Sequence, residues 1–273
     1  ERLNTPGLGV RWPWLLQELT RRLTLTLKNK MFSNISQNAK PFALCAALLI
    51  APVAGHSQAH PTTELGSGVQ YELISHWSKE KLNEILKTDF PKFSGVPVNY
   101  GQANNGIKLY RVTYRSVIPE RANKSIQTSG LVAIPDNAET LKNRALPVLS
   151  YQHGTVYGKN EVPSVPDESP ETQLMLAQFG GQGYVVIGAD YFGMGSAPEP
   201  EGYMVKASHQ QASYDMLLAS QSVLNHLKVN TNQLFLSGWS QGGFVTMAFL
   251  EKLEKEGIPV SAAATASAPL DVF

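Results

Sequence analysis

The pentapeptide Gly238-Trp239-Ser240-Gln241-Gly242 constrains the fold of this chain more than any other segment. It is a G-x-S-x-G element set between two stretches of different periodicity. Gln233-Leu234-Phe235-Leu236-Ser237 precedes it, a short apolar run that predicts a buried strand. Gly243 to Leu250 and then Glu251 to Lys255 follow it and predict a helix. Strand, sharp turn and helix form the setting of a nucleophile elbow. There the serine is forced into a strained backbone conformation and its hydroxyl projects above the sheet. Glycines are required at 238 and 242 because a Cβ there would collide with neighbouring backbone. Alone the pattern is weak in a chain with 22 glycines, where it could mark a Gly-rich turn; the strand-to-helix context is what gives it meaning.

The flanking sequence alternates strands and helices. Lys108 to Arg115 alternates apolar and polar residues, and Ser129 to Pro135 reads as its antiparallel partner. Pro147 to Tyr151 and Tyr184 to Ala189 are apolar strands, separated by a helix from Glu171 to Phe179. A long helix from Ala207 to Lys228 leads to the elbow strand, and Ser261 to Ala266 is one more buried strand. The expected class is therefore α/β, a mostly parallel sheet with helices on both faces. Residues 60–106 read as an irregular N-terminal extension. Within it Lys79 to Lys87 is a short helix candidate with Leu82, Ile85 and Leu86 on one face, broken from Pro91 onward. Gly158 to Pro170 reads as a surface loop near the carboxyl ends of the strands, where ligands bind in such sheets.

Two further segments bear on chemistry. Gln152-His153-Gly154-Thr155 directly follows a buried strand. Acyl transfer creates an oxyanion that preorganised N–H donors must meet, one from this loop and one from the residue after the nucleophile. That points to the backbone N–H of Thr155, or of Gly154, and that of Gln241. His153 is read as holding the loop by hydrogen bonds, against the alternatives of metal ligand or catalytic base. Asp190-Tyr191-Phe192-Gly193-Met194-Gly195 follows the next strand but lacks the G-x-G-x-x-G spacing of a dinucleotide site.

Q-H-G-T, A-D-Y-F-G-M-G and G-W-S-Q-G-G at these separations resemble the α/β-hydrolase superfamily, and within it the secreted bacterial serine esterases and secretory lipases. The resemblance covers residues 107–273. It implies Ser240 as nucleophile, Thr155 and Gln241 as the oxyanion pair, and Gly193 and Gly195 as packing residues. It also implies a small-molecule ester or lipid substrate and no cofactor or metal. The departure lies in the triad, whose order in this fold is Ser, then Asp or Glu, then His. No histidine follows Ser240, and the acid past the last strand is Asp271. His209 and His226, on the long helix, read as ordinary core or surface residues. The expectation is a fold cut after about its sixth strand, with the triad acid and base beyond Phe273. Two alternatives stay open: a serine peptidase of the prolyl-oligopeptidase type, which shares the elbow, and a catalytically inactive truncated fragment.

The amino-terminal region reads separately. Met31 to Lys40 is polar and basic, Pro41 to Ala54 is apolar, and Ser57-Gln58-Ala59 offers small residues for cleavage. These are the three parts of a signal peptide over residues 31–59, and the apolar run is too short for a membrane span. Residues 1–30 do not belong to that plan and read as an upstream segment that is not native. A secreted or periplasmic protein without a stable membrane anchor is expected. Cys45, the single cysteine, lies in the apolar run, so a mature chain would carry no disulfide. The net charge of +1 comes from a basic excess ahead of residue 60; the rest is mildly acidic, which argues against a nucleic-acid partner.

Overall fold

The computed structural model describes residues 61–137 and 144–269. The proposed leader, its cleavage site, Cys45 and Asp271 lie outside the described residues. Eight strands form one sheet: β1 (Thr63–Leu65), β2 (Val69–Trp77), β3 (Ile107–Ile118), β4 (Lys124–Pro135), β5 (Leu146–Gln152), β6 (Val185–Ala189), β7 (Thr231–Trp239) and β8 (Ala262–Ala266). Their order is β1-β2-β3-β4-β6-β5-β7-β8. The sheet is mixed. Strands β6, β5, β7 and β8 run parallel, whereas β1 to β4 form an antiparallel meander that joins β6 through β4.

The segment expected to be an irregular extension contributes β1 and β2, and β2 pairs with β3 over Gln70 to Trp77. Its sequence, Val-Gln-Tyr-Glu-Leu-Ile-Ser-His-Trp, alternates poorly because a register shift falls between Leu73 and Ser75: Val69 and Tyr71 enter one core and Trp77 the other. The helix after it starts at the Ser78 cap. It runs as α1 (Lys79–Glu84), loosens to a π turn over Ile85–Asp89, and tightens again as α2 (Phe90–Ser94). Pro91 does not end the helix as expected. It occupies the first turn of α2, where a missing N–H costs nothing, and Gly95 in the left-handed region closes the segment.

Three longer helices follow the expected order: α3 (Pro170–Gln178), α4 (Lys206–His226) and α5 (Gln241–Lys255). Because side chains alternate across a strand, the sheet feeds two cores. Val132, Val148, Val185 and Ile187 pack with Met216, Leu217 and Val223 of α4 and Val245 and Phe249 of α5. Leu131, Ala133, Leu149 and Val186 pack on the other face with Leu82, Ile85, Leu86 and Phe90 and with Leu176 of α3. The 158–170 loop departs from its expected surface position. Its middle is buried, with Val162 and Ser164 at 0% and 2% exposure, because the Ser164 N–H donates to the buried Asp190 carboxylate at 2.8 Å. Among the described residues no helix is long and apolar enough to cross a membrane.

Candidate active site

Ser240 stands at the junction of β7 and α5 with φ 53° and ψ −127°, a conformation that L-residues rarely adopt, and its side chain is exposed. The turn is held from three sides. The Ser240 N–H donates to Ala266 O of β8 at 2.9 Å, and Ser240 O accepts from the N–H groups of Gly243 (2.9 Å) and Phe244 (3.3 Å). On the β5 side the elbow touches backbone. A Cβ on Gly242 would fall onto the Gln152 carbonyl oxygen and 2.9 Å from the His153 carbonyl carbon. A Cβ on Gly238 would meet the same Gln152 oxygen at 2.7 Å and the Gly242 carbonyl. The collisions expected of a side chain at 238 and 242 are therefore present in full.

Buried polar groups stiffen the base of the turn. The Thr246 hydroxyl directs its proton to Gly242 O at 2.8 Å, so the Gln152 amide N–H donates to Thr246 at 3.0 Å and also to Ser237 O at 3.2 Å. These bonds tie the end of β5 to the start of α5. The 153–155 loop consequently lies against the elbow, which brings both sequence-predicted donor segments to one place.

The N–H groups at that place divide cleanly. The Gly154 N–H is taken by the Glu171 carboxylate, with both oxygens at 3.0–3.1 Å. The Ser240 N–H is committed to Ala266. Among the described residues no acceptor meets the backbone N–H of Thr155 or of Gln241. Of the two loop residues that the sequence left open, Thr155 thus keeps a free donor and Gly154 does not. Gln241 is the first residue of α5, where backbone N–H groups have no intrahelical partner and the helix end is electropositive.

The histidines are accounted for. His153 is buried, stacks on Tyr191 at 4.1 Å, and turns one ring nitrogen to Gly154 O (2.8 Å) and the other to Asp190 O (3.3 Å). Tyr191 closes this unit by donating to His153 O at 3.1 Å. His209 is buried on α4, and burial pulls its pKa down to about 3. Its Nε2 faces the Gln241 amide nitrogen at 3.4 Å and its Nδ1 has no partner. His226 lies exposed at the end of α4, against Tyr71. None of the three hydrogen-bonds to Ser240 among the described residues. Gly193 and Gly195 both have positive φ and meet, with no room for a Cβ, the backbone of Pro200–Glu201 and the Asp190–Ser129 pair. Among the described residues no group of three or more His, Cys, Asp or Glu side chains is placed to hold a metal ion.

Two participants were not legible in the sequence. Glu171, in the first turn of α3, looks like an ordinary acid at a helix N-terminus; it is in fact half-buried, with its carboxylate turned to the 153–155 loop. Burial raises its pKa, while the Trp239 indole N–H, His153, the Gly154 N–H and Tyr151 favour the carboxylate. Tyr203 reaches Thr155 Oγ1 at 3.1 Å from a loop with no motif. Beside the elbow a cavity of about 380 Å³ opens between Phe90, Tyr100, Leu174, Met175, Trp239 and Glu171.

Strand β8, expected to be buried, is exposed along its length because it forms the edge of the sheet. An eight-stranded mixed sheet with helices on both faces and the serine elbow after β7 is the α/β-hydrolase fold. Solved structures bear this out. A candidate hydrolase from Legionella pneumophila shares 32% identity and a TM-score of 0.63, over 74% of this chain and 52% of that one. The ligand-bound form of the rice cell wall degrading esterase LipA from Xanthomonas oryzae shares 25% identity and a TM-score of 0.59, over 73% of this chain and 49% of that one. The chain thus spans about half the length of the structures it matches. No protein-family model matches it, and no curated protein does.

Proposed function

We propose that Ser240 is the nucleophile of a serine carboxylester hydrolase. The observation that carries this is the strained, exposed serine at a helix N-terminus with two unoccupied N–H groups, of Thr155 and Gln241, on either side of the same turn. The likeness to structures that include an esterase supports it. In this reading Ser240 Oγ adds to the ester carbonyl while its proton passes to a base. The carbonyl oxygen becomes an oxyanion facing the two N–H groups. Collapse expels the alcohol, which takes the proton from the base and leaves an acyl-serine. Water then repeats the sequence and releases the acid and Ser240. His153 and His209 are buried and neither bonds to Ser240, His226 lies against Tyr71 and His76 pairs with Asp136, so this reading takes the base and its orienting carboxylate from outside the described residues.

Export belongs to the same proposal. Residues 31–59 act as a signal peptide, and the mature protein, whose hydrolase sheet already includes β1 and β2, is secreted or periplasmic. A fluorophosphonate probe and short-chain p-nitrophenyl esters test the chemistry. The full-length gene product should be labelled at Ser240 and should turn over the esters, and Ser240→Ala should abolish both. Labelling at another residue, or turnover that survives Ser240→Ala, refutes the assignment.

A further inference from the structure

We propose that Glu171 is the positioning residue of the oxyanion site, fixing through Gly154 the direction in which the Thr155 N–H points. The inference rests on Ser240 being the nucleophile. Its geometry is independent of that reading. The Glu171 carboxylate receives the Gly154 N–H on both oxygens at 3.0–3.1 Å. A backbone N–H held in this bifurcated way cannot rotate without losing a charge-assisted bond. The next peptide is held at its own carbonyl, where Gly154 O meets His153 Nδ1 at 2.8 Å, so Glu171 and His153 grip the two sides of Gly154 and leave the Thr155 N–H as the loop's open donor.

The surroundings argue for a built device rather than a chance contact. Gly154 is closely packed, since a Cβ on it would lie 3.1 Å from Trp239 Nε1 and 3.2 Å from Glu171 Oε2. Trp239 is the residue directly before the nucleophile, and its indole N–H also favours the Glu171 carboxylate. Glu171 and the Trp239 indole thus border Gly154 together, beside the nucleophile turn. Glu171 itself is fixed at its root: the Ser169 hydroxyl caps α3 by accepting the Thr172 N–H at 3.3 Å, and Pro170 rigidifies the first turn. Burying a carboxylate in an apolar surround is costly, and hydrogen bonds offset that cost only in part. A plain loop anchor could be made with a backbone carbonyl. A half-buried carboxylate gives a stronger and more directional hold.

The test uses the full-length gene product, with active sites counted by fluorophosphonate so that only folded enzyme is compared. Glu171→Ala removes the acceptor and should lower kcat by up to about 100-fold, the scale of a misplaced donor, with KM little changed. Glu171→Gln keeps an acceptor oxygen and should restore most of that loss. A folded alanine variant with unchanged kcat, or a glutamine variant as damaged as the alanine one, overturns the inference. Should the alanine variant fail to fold, the Gly154 amide proton in the unsubstituted protein decides. It should shift with pH as Glu171 titrates, and the shift should vanish in Glu171→Gln. A Gly154 resonance indifferent to both overturns the inference as well. Ser240→Ala run alongside separates the two claims: if it retains activity the nucleophile assignment fails, whereas if it alone is silent only the positioning role of Glu171 fails.

Discussion

Ser240→Gly should leave the protein more stable than Ser240→Ala, although both lack the hydroxyl. The reason is backbone strain. At φ 53° and ψ −127° an L-residue carries a penalty of about 1–3 kcal/mol that glycine does not. Alanine retains the Cβ and so retains the strain. Glycine relieves it but gives up about 0.5–1 kcal/mol by making the unfolded chain more flexible. Packing hardly enters, because residue 240 is exposed. The net expectation is about 1 kcal/mol in favour of glycine, or about 2–4 °C in Tm for a domain of roughly 150–250 residues. Urea or thermal unfolding of the two variants measures it directly and needs no catalytic activity. A glycine variant less stable than the alanine one would falsify the claim that the turn stores strain, since only the entropy term would then be acting.

Other consequences follow from the same contacts. Gly242→Ala places a Cβ on the Gln152 carbonyl and should cost about 1–3 kcal/mol, measured by urea unfolding; a neutral result means that β5 and the elbow are not in close contact. In the full-length gene product Thr155→Pro removes one oxyanion donor and should lower turnover by about 100- to 1,000-fold, whereas Thr155→Ser keeps the backbone N–H and should be mild; equal damage from both would assign the role to the side chain. His209 provides a pH test. Burial sets its folded pKa at about 3, so below about pH 6.5 the unfolded chain takes up a proton that the folded chain refuses. The stability it contributes is therefore lost as pH falls from 6.5 towards 3, by up to about 1.4 kcal/mol per unit. His209→Phe should remove that part of the slope, and an unchanged slope would mean that the ring titrates normally. The raised carboxyls of Glu171 and Asp190 act in the opposite sense but are common to both proteins.

The central strands β5 and β6 were legible because they are buried on both faces and read as unbroken apolar runs. The elbow was legible because its requirements are steric and local: two glycines, one serine, a strand before and a helix after. What escaped was decided by tertiary placement. Strand β1 is three residues long, and the alternation of β2 is broken by the register shift that sends Val69 and Tyr71 to one core and Trp77 to the other. Pro91 looked like a helix stop, yet a proline in a first turn is compatible with helix. Glu171 and Tyr203 sit in segments whose composition predicts surface, and only the path of the chain brings them to Gly154 and Thr155. Acidic residues in the first turn of a helix are common for dipole reasons alone, so no sequence pattern distinguishes the one that is half-buried.

The division of N–H groups around Ser240 explains why the elbow needs its neighbours in the sheet. β7 alone cannot hold a serine at positive φ. The Ser240 N–H has to be taken by β8, through Ala266, or it would compete for any charge arriving at the serine. The Gly154 N–H has to be taken by Glu171, or the 153–155 loop would be free to present either of two donors. With both committed, the Thr155 and Gln241 N–H groups remain, one from the β5 side and one from α5. Strand order β5-β7-β8 is what makes this possible, because it places an acceptor on one flank of the serine and a donor loop on the other. On this view changes in β8 should reach the nucleophile through backbone alone. Ala266→Pro, which keeps the carbonyl but distorts its strand, should relax Ser240 and weaken fluorophosphonate labelling of the full-length gene product, whereas Ala266→Val should not. Equal labelling of the two variants would show that β8 is dispensable to the turn.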